Sequence, residues 1–411
     1  MHKIKILVIH TTFRIGGGAE RFLLNFLSLF PKNRYEIDLL LFDNFQDNAE
    51  MFDAIPKGTN ILPYLWQFSY YSYELMNYFK ENGQQEAARI RRVVHDRNKN
   101  PDFLNLSTGE QLLQNWELLK TICPKYSGYD YAVAFCNTLP LRILDCCVEA
   151  SAKYVFIHGD FELQSKISDD LRTTILSEYE HYKNVDKIIC VAEQNARGFS
   201  NIFPDLSKKI TFLLNVSNAD KIKKSSLLYV PPEYEKKGFN ILTVARVNPQ
   251  KNIELLLNSA DILRNSGVVF RWFVLGHIGE SEYANKCMEI HRSLNLAGFV
   301  EFLGEVNNPF PYYKNCSLFV ITSNFEGRSL AVEEAMILAC PIVSTNFAPI
   351  YDQITDKVNG RICEMTPHSM ADVIEELYID EGQRKRIGGA NVGYTGDSAR
   401  DKYLEFFPEI K

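Results

Sequence analysis

The sequence predicts an α/β protein made of two Rossmann-like, doubly wound domains. Residues 4–9 and 240–245 are short apolar runs, and each is followed by a polar or glycine-rich turn and an amphipathic helical stretch. A strand, a turn and a helix in this order open a doubly wound unit. The length of 411 residues also exceeds what one hydrophobic core usually serves. Two parallel sheets are therefore expected.

Further apolar runs supply the remaining strands of both sheets. Continuous runs, rather than alternation, are typical of parallel strands that helices cover on both faces. The predicted strands are 37–42, 131–135, 154–158 and 187–191 in the first half, and 271–275, 300–303, 318–322 and 341–344 in the second.

A polar, lysine-rich stretch divides the two halves. Residues 217–238 contain Pro231 and Pro232 and are the best candidate for a linker. They separate an N-terminal domain (1–216) from a C-terminal domain (239–390). The remaining residues 391–411 are expected to form a C-terminal helix that packs back on the N-terminal domain.

Composition and charge exclude several classes of protein. Hydrophobic residues make up 46% and charged residues 23%, and the net charge is −6. This globular balance argues against disorder, and the acidic charge argues against a nucleic-acid partner. The nine cysteines are scattered without a Cys-x-x-Cys motif, which favours reduced thiols over disulfides or a zinc site.

No targeting or membrane-spanning segment is evident. The apolar run 6–9 is too short for a signal peptide, and no run approaches the roughly 18 apolar residues of a spanning helix. A cytoplasmic location is expected, with at most peripheral contact at the inner face of the cell membrane.

One insertion, at about 63–120, fits the domain scheme poorly. Its first part, 63–99, is aromatic and then basic. Two interpretations stay open: a helical hairpin with a solvated basic side, or a surface for an acceptor or an anionic membrane. The residues concerned are Trp66, Phe68, Tyr70, Tyr71, Tyr73, Arg89, Arg91 and Arg92.

Three loops that follow strands carry the candidate chemistry. In the first, Gly16, Gly17 and Gly18 precede a helix. Glycines there let a phosphate or sugar approach backbone N–H groups, although a simple tight turn has the same pattern. In the second, Arg246 and Lys251 follow a strand. They suit a diphosphate, although surface cations are common.

The third loop, 324–335, lies between a strand and a helix. Ser329 is a plausible N-cap, so the N–H groups of Leu330 and its neighbours would form an anion site. Glu326 precedes the helix and Glu334 lies in its second turn. One carboxylate can thus address a sugar and the other a ribose diol, while a solvated acidic helix is the alternative.

These motifs in this order resemble the retaining GT-B glycosyltransferases of family 4. The similar segments are IGGGAERFLLNFL, VFIHGD, TVARVNPQKN, VLGHIG, FEGRSLAVEEAM and ACPIVSTN. The resemblance covers nearly the whole chain and implies a GT-B fold, with two Rossmann-like domains facing across a cleft.

The resemblance also implies the roles of individual residues. Arg246 and Lys251 would hold the donor diphosphate, and Glu326 would contact donor-sugar hydroxyls. His158 would lie near the reaction centre, although a single histidine is more often structural. The remaining donor-binding residues would be Gly17, Gly18, Gly276, Arg328, Ser329, Leu330 and Glu334, the last on the ribose.

Two features depart from the family pattern. Arg328 stands where the family commonly has an aromatic or aliphatic residue, so contacts near the sugar or phosphates would differ. Glu333 lies beside Glu334, so the register of the motif could be shifted by one residue.

The expected activity is retaining transfer of a hexose-type sugar from a nucleotide-diphosphate sugar, by default a UDP-sugar. The acceptor would be a glycan or a polyprenyl-linked sugar in cell-surface polysaccharide synthesis. No cofactor and no metal are expected, because the sequence lacks an Asp-x-Asp motif. The alternatives are an inverting transferase or sugar-nucleotide epimerase, a non-catalytic nucleotide-binding protein and, less favoured, a dinucleotide oxidoreductase.

Overall fold

The structure, a computed structural model, describes residues 3–11, 18–42, 52–65, 68, 83, 85–106, 108–234, 238–396 and 400–408. The chain divides into two compact units. Unit 1 comprises Met1–Arg14, Ala19–Leu214 and Arg400–Lys411, and unit 2 comprises Ile15–Gly18 and Asn215–Ala399. Each unit contains one parallel sheet with helices between its strands.

The sheet of unit 1 has the order β3-β2-β1-β4-β5-β6-β7, and its strand pairs are parallel. The order reverses between β1 and β4, which creates a switch point where ligands bind in doubly wound sheets. The strands are β1 (Ile4–Ile9), β2 (Tyr35–Leu40), β3 (Thr59–Ile61), β4 (Tyr126–Ala134), β5 (Val148–Ile157), β6 (Lys187–Cys190) and β7 (Ile210–Phe212).

The helices of unit 1 bury apolar faces against this sheet. In the first helix, Phe22, Leu23, Phe26 and Leu27 are buried at the spacing of one helical face. The helices are α1 (Gly18–Leu27), α2 (Gln85–Arg97), α3 (Pro101–Leu104), α4 (Thr108–Leu119), α5 (Leu139–Cys147), α6 (Phe161–Ile167), α7 (Asp169–Ser177), α8 (Tyr179–Lys183) and α9 (Glu193–Ile202).

The C-terminal segment completes unit 1. Tyr403, in the last described helix, is fully buried, and its ring lies within 6.3 Å of those of Phe26 and Phe156. The hydroxyl of Tyr35 donates to the carbonyl of Phe407 at 3.0 Å. These contacts attach residues 400–408 to the first sheet and its helices.

The sheet of unit 2 has the order β10-β9-β8-β11-β12-β13, again with parallel pairs. Its order reverses between β8 and β11. The strands are β8 (Phe239–Val244), β9 (Phe270–Leu275), β10 (Val300–Gly304), β11 (Leu318–Ile321), β12 (Ile342–Thr345) and β13 (Arg361–Cys363).

Helices cover both faces of the second sheet. Along β9, Trp272 and Val274 belong to one buried cluster, whereas Phe273 and Leu275 belong to another. This alternation places successive side chains on opposite, equally buried faces. The helices of unit 2 are α10 (Ala219–Ser225), α11 (Ile253–Asn265), α12 (Glu282–Ser293), α13 (Phe310–Asn315), α14 (Leu330–Ile337), α15 (Pro367–Ile379) and α16 (Glu381–Gly389), and α17 (Arg400–Phe406) belongs to unit 1.

The predicted fold class is confirmed, and each predicted strand corresponds to a strand in the structure, although some boundaries differ by several residues. Three strands were missed: β3, β7 and β13. Each has three residues and lies at the edge of its sheet. Such short runs carry too little apolar pattern to stand out from a loop.

The insertion is described only in part. Trp66, Tyr70, Tyr71 and Tyr73 lie outside the described residues, whereas Phe68 is buried in the core of unit 1. On α2, Arg89 pairs with Glu86 at 2.6 Å and Arg92 approaches Asp96 at 3.9 Å. Among the described helices of both units, none is long and apolar enough to span a bilayer.

Candidate functional site

The switch point of the second sheet brings two of the predicted loops together. Strands β8 and β11 are direct neighbours, with Ile241 opposite Leu318. Beyond their ends, the backbone N–H of Asn324 donates to the carbonyl of Gln250 at 2.8 Å. The hydroxyl of Thr322 donates to the carbonyl of Lys251 at 2.7 Å. The loops after β8 and β11 are therefore joined at the place where doubly wound sheets bind ligands.

An ion pair between Lys251 and Glu326 lies at the centre of this junction. Lys251 Nζ contacts Glu326 Oε1, and their side chains are only 16% and 8% exposed. The hydroxyl of Ser323 donates to the same carboxylate oxygen at 2.7 Å, and the amide of Gln250 reaches the other oxygen at 3.3 Å. The family resemblance implies that Lys251 binds the diphosphate and Glu326 the sugar of a donor. In the structure, these two side chains contact each other directly.

Asparagines fix the backbone around Lys251. The side chain of Asn248 accepts from the N–H of Lys251 at 3.0 Å, which closes the short turn Pro249–Lys251. Asn252 follows in the left-handed region, with φ of 49°, a conformation that asparagine tolerates better than most residues. Its side chain caps α11 and also donates to Asn324 at 3.0 Å. Sequence reasoning missed both asparagines.

The predicted N-cap of α14 is confirmed. Ser329 Oγ accepts from the N–H of Val332 at 3.4 Å. The side chain of Gln353 accepts from the N–H of Ser329 at 3.1 Å and donates to its carbonyl at 2.9 Å. This double contact fixes the start of the helix. The first-turn N–H groups, beginning at Leu330, have no partner within the helix by geometry, so this end favours an anion.

The two adjacent glutamates of α14 have different partners. Glu334 is 4% exposed and accepts from the hydroxyl of Tyr313 at 3.1 Å. Glu333 instead lies 3.5 Å from Arg328 Nη2 and accepts from the hydroxyl of Tyr394 at 3.0 Å. Burial raises the pKa of Glu333, although Arg328 opposes that shift. Arg328 therefore contacts Glu333, the residue whose position beside Glu334 left the register of the motif open.

Arg246 and Gly276 lie beside this junction, where β8 and β9 end. Arg246 is exposed and is the second residue after the end of β8. Gly276 has φ of 139°, and a Cβ atom at this position would lie 2.3 Å from the carbonyl oxygen of Ala245. Only glycine fits this close approach of two backbones. Gly276 thus positions the peptide that precedes Arg246.

His158 lies in unit 1, directly after β5. Its Nε2–H donates to the carbonyl of Phe135 at 2.7 Å, since a carbonyl can only accept. This tautomer leaves Nδ1 as an acceptor. The ring stacks on Phe156, and its removal from water lowers the pKa of His158 to about 4 despite the bond to Phe135. At neutral pH the ring is therefore uncharged.

A second histidine, missed from the sequence, lies at the switch point of the first sheet. His10 follows β1 and is 2% exposed, and its Nδ1 lies 3.1 Å from the Cys136 sulfur just after β4. Burial, and then the charge of His158, lowers the pKa of His10 to about 3. Its position directly after a buried strand, which it shares with His158, is the signal in the sequence that could have identified it.

The predicted site residues thus divide between the units. Unit 2 brings Arg246, Lys251 and Glu326 to the same sheet edge as Ser329, and Glu334 lies on the helix that follows. Unit 1 holds His158. Of the glycine loop, Gly16 and Gly17 lie outside the described residues, and Gly18 is the first residue of α1.

One group of side chains in the described part of the chain could hold a metal ion. Ligand atoms of Asp145, Cys146 and His181 lie within 4.8 Å of one another. Burial opposes the charged form of His181, but hydrogen bonds to Asp145 and Cys146 outweigh it and raise its pKa to about 9. The group lies on α5 and α8 of unit 1, and His181 contacts Asp145 as an ion pair at 2.7 Å.

Comparison with known proteins finds a family model that matches most of the second unit. Residues 231–391 match the family model of Glycosyl transferases group 1. An uncharacterized glycosyltransferase of Methanocaldococcus jannaschii is 30% identical over 175 residues, which are 42% of this chain and 42% of the relative.

A relative from Campylobacter jejuni has a more specific name. It is N-acetylgalactosamine-N,N'-diacetylbacillosaminyl-diphospho-undecaprenol 4-alpha-N-acetylgalactosaminyltransferase. It is 27% identical over 223 residues, 54% of this chain and 58% of the relative. The chain thus spans about half the length of these curated relatives.

Solved structures match the fold over nearly the whole chain. HepE of Anabaena, in complex with UDP and glucose, has a TM-score of 0.70 at 15% identity, over 98% of this chain and 99% of HepE. TarM of S. aureus has a TM-score of 0.69 at 16% identity, over 99% of this chain and all of TarM. The chain therefore has the GT-B fold, and its residues 231–391 match the model of the glycosyl transferases group 1.

Proposed function

We propose that the chain is a retaining glycosyltransferase of the family 4 type. It moves a hexose-type sugar from a UDP-sugar to a glycan or polyprenyl-linked acceptor in cell-surface polysaccharide synthesis. The observation that carries this proposal is the contact between Lys251 and Glu326 beside the Ser329-capped start of α14. The Lys251 cation, the Glu326 carboxylate and the backbone N–H donors at the start of α14 meet there at one switch point.

The donor diphosphate is assigned to the cationic part of this junction. Lys251 and exposed Arg246 supply positive charge, and the first turn of α14 supplies N–H groups, beginning at Leu330. Such fixed donors stabilise charge that develops on a leaving phosphate. In the structure, Glu326 pairs with Lys251. A bound diphosphate would share Lys251 with Glu326 or displace Glu326 from it.

The two glutamates are assigned to the two ends of the donor. Glu326 lies in the loop before α14, close to the phosphate end, and accepts hydrogen bonds from hydroxyls of the donor sugar. Glu334 lies further along α14, where Tyr313 orients its carboxylate, and accepts from the ribose. Arg328, which stands where the family commonly has an aromatic or aliphatic residue, contacts Glu333 instead of either of these two carboxylates.

His158 is assigned to the transferred sugar. Because it is uncharged at neutral pH and its Nε2–H is used by Phe135, its Nδ1 accepts a hydrogen bond from a sugar hydroxyl. It does not act as a general acid at that pH. The acceptor oxygen attacks the anomeric carbon from the side of the breaking bond to phosphate, and the leaving phosphate oxygen takes the acceptor proton.

Metal independence is part of this proposal. The sequence has no Asp-x-Asp motif, and the cations with the start of α14 provide the charge that a metal would otherwise supply. No cofactor is assigned.

The comparisons support the choice of donor and acceptor. HepE was solved with UDP and glucose, which favours a UDP-hexose. The Campylobacter relative carries diphospho-undecaprenol in its name, which favours a lipid-linked acceptor. Such an acceptor would place the enzyme at the inner face of the cell membrane as a peripheral protein.

A screen of nucleotide sugars for thermal stabilisation, followed by turnover with the best binder, tests the function. A ligand at a hundredfold its dissociation constant stabilises by roughly 2.7 kcal/mol. Transfer of the sugar to an acceptor with an unchanged anomeric configuration supports the proposal. Donor conversion without any acceptor would instead identify an epimerase. Binding without turnover would identify a nucleotide-binding protein.

A further inference from the structure

Four consecutive apolar side chains are exposed after α10. Leu227 is 74% exposed, Leu228 73%, Tyr229 40% and Val230 63%. Single exposed apolar residues are ordinary on protein surfaces. A contiguous group is not, and it usually marks a place where a protein meets another surface. We call residues 227–230 the apolar tip.

Hydrogen bonds hold the apolar tip in place. The hydroxyl of Tyr229 donates to the carbonyl of Asn308 at 2.8 Å, and the side chain of Asn308 donates to the carbonyl of Ser225 at 2.9 Å. The N–H of Leu227 donates to the carbonyl of Lys224 at 3.2 Å. The tip is thus attached to the body of unit 2 while its apolar groups remain in water.

Lysines lie directly before the apolar tip. Lys221, Lys223 and Lys224 of α10 are exposed, whereas Ile222 between them is buried and anchors the helix. None of the three lysines forms an ion pair with an acidic residue of the described chain. This distinguishes them from Arg89 and Arg92 of α2, which have acidic partners on their own helix.

The described acidic residues of this stretch, Asp220 and Glu233, form no ion pair with the lysines. Asp220 is exposed at the start of α10. Glu233 lies beyond the tip and accepts from the hydroxyl of Tyr312 at 3.1 Å. Three unpaired cations therefore stand beside four exposed apolar side chains.

We propose that α10 and the apolar tip bind the surface of an anionic lipid bilayer. The tip enters the boundary between headgroups and acyl chains, and the three lysines contact anionic headgroups. A protein partner would cover the apolar groups equally well, but lysines without an ion pair directly before a small exposed apolar group match a bilayer with negative headgroups. The biological use rests on the proposed function, since the surface would bring the enzyme to a lipid-linked acceptor.

Cosedimentation of the purified chain with vesicles tests this surface. The vesicles contain phosphatidylcholine with or without phosphatidylglycerol, and neither donor nor acceptor is present. We expect binding only with phosphatidylglycerol and weakening at high salt. The combined variant Leu227→Ser, Leu228→Ser and Val230→Ser should bind about tenfold more weakly. Because these side chains are already exposed, its melting temperature should equal that of the parent.

Matched variants separate this surface from general effects. Val269 and Ile379 are 74% and 75% exposed but stand apart from the tip, so Val269→Ser with Ile379→Ser should bind vesicles like the parent. Changing Lys221, Lys223 and Lys224 to Ser should weaken binding and reduce its salt dependence. Changing Arg89, Arg91 and Arg92 to Ser should leave binding intact.

Three outcomes would overturn the proposal. The parent could ignore anionic vesicles at low salt, or the tip variant could bind them as well as its control does. Alternatively, the tip variant could turn a dimer into a monomer in sedimentation velocity without changing vesicle binding, which would make the tip a contact between copies of the chain. If vesicle binding behaves as expected but no nucleotide sugar binds or turns over, the enzymatic assignment fails and the surface stands.

Discussion

Lys251 and Glu326 form a buried ion pair that joins the loops following β8 and β11. Lys251, assigned to the diphosphate, and Glu326, assigned to the sugar, therefore also stabilise the fold by joining these two loops. Mutating either residue should change stability as well as function, through UDP binding for Lys251 and through turnover for Glu326, and the effects on stability and function have to be measured separately.

Lys251→Met should lower the free energy of unfolding, because it leaves the Glu326 carboxylate buried without its cation. Breaking a buried pair from one side typically costs about 3–5 kcal/mol, and the partial exposure of Lys251 places the effect at or below the lower end. The double variant Lys251→Met and Glu326→Gln should recover most of this loss. Urea denaturation of the parent, Lys251→Met, Glu326→Gln and the double variant measures it; additive single effects would show that the pair is not coupled.

Glu326→Gln and Glu334→Gln should impair the enzyme in different ways. Glu334→Gln should mainly weaken UDP binding, because it contacts the ribose. Glu326→Gln should leave UDP affinity nearly intact while lowering turnover, because it contacts the sugar. Tyr313→Phe is a milder companion to Glu334→Gln, since it removes only the bond that orients the carboxylate. The reverse pattern would mean that the roles or the register are inverted.

Acid should destabilise unit 1 through His10 and His158. The pKa values of His10 and His158 are lowered to about 3 and about 4, so below the unfolded value of about 6.5 the unfolded chain binds more protons. The stability they confer is complete above pH 6.5 and is lost as the pH falls toward 4, by about 1.4 kcal/mol per pH unit for each histidine.

Urea titrations between pH 4.5 and 7.5 measure this slope. His158→Gln should flatten the slope, because glutamine does not titrate. Turnover in the parent should also show no inflection near pH 6.5 from His158. An inflection near that value that disappears in His158→Gln would contradict the assignment of a neutral ring.

Arg328 and Glu333 should stabilise the fold only when both are present. Both side chains are buried, 4% and 1% exposed, so Glu333→Leu alone leaves a buried guanidinium without its anion and should destabilise by about 3 kcal/mol or more. Adding Arg328→Phe should restore most of that stability, since an apolar pair can replace a buried ion pair. Denaturant midpoints test this, and equal loss in the single and double variants would refute the pairing.

Transfer should survive exhaustive chelation with EDTA, because Lys251, Arg246 and the start of α14 are assigned the role of neutralising the diphosphate. The assay compares initial rates before and after chelation and after adding back magnesium or manganese. Loss of transfer on chelation with recovery on addition of metal would show that this account of the phosphate site is wrong.

The sequence predicted every strand of four or more residues, because buried parallel strands appear as continuous apolar runs such as β1 and β8, and it missed the three-residue edge strands β3, β7 and β13. It could not predict that Lys251 would contact Glu326, which lies 75 residues away in the chain. That contact follows from the strand order, which makes β8 and β11 neighbours. Ser329 was recognisable because capping is local.

Other partners lacked any local signal. Gln353 clamps the backbone of Ser329 from a segment 24 residues away, and Tyr394 reaches Glu333 from 61 residues away. Neither residue type marks a site by itself. Arg328 was noticed as a departure from the family pattern, but its buried partner became evident only from the fold.

Calorimetric titration of UDP against three proteins tests the central claim, that the junction of Lys251 and Glu326 is the nucleotide-sugar site. They are the parent, Lys251→Met and Arg361→Met. Arg361 is a matched control: it is buried in unit 2 and pairs with Glu376 at 2.7 Å. It begins β13, at the amino ends of the parallel strands, whereas the junction lies beyond the carboxyl ends of β8 and β11. Both variants should lose stability.

Only Lys251→Met should lose UDP affinity, by about 1.5–3 kcal/mol, the usual value of a charge-assisted contact. Arg361→Met should bind UDP like the parent. Parent-like affinity in Lys251→Met, or equal loss in both variants, would contradict the assignment of this junction to the donor.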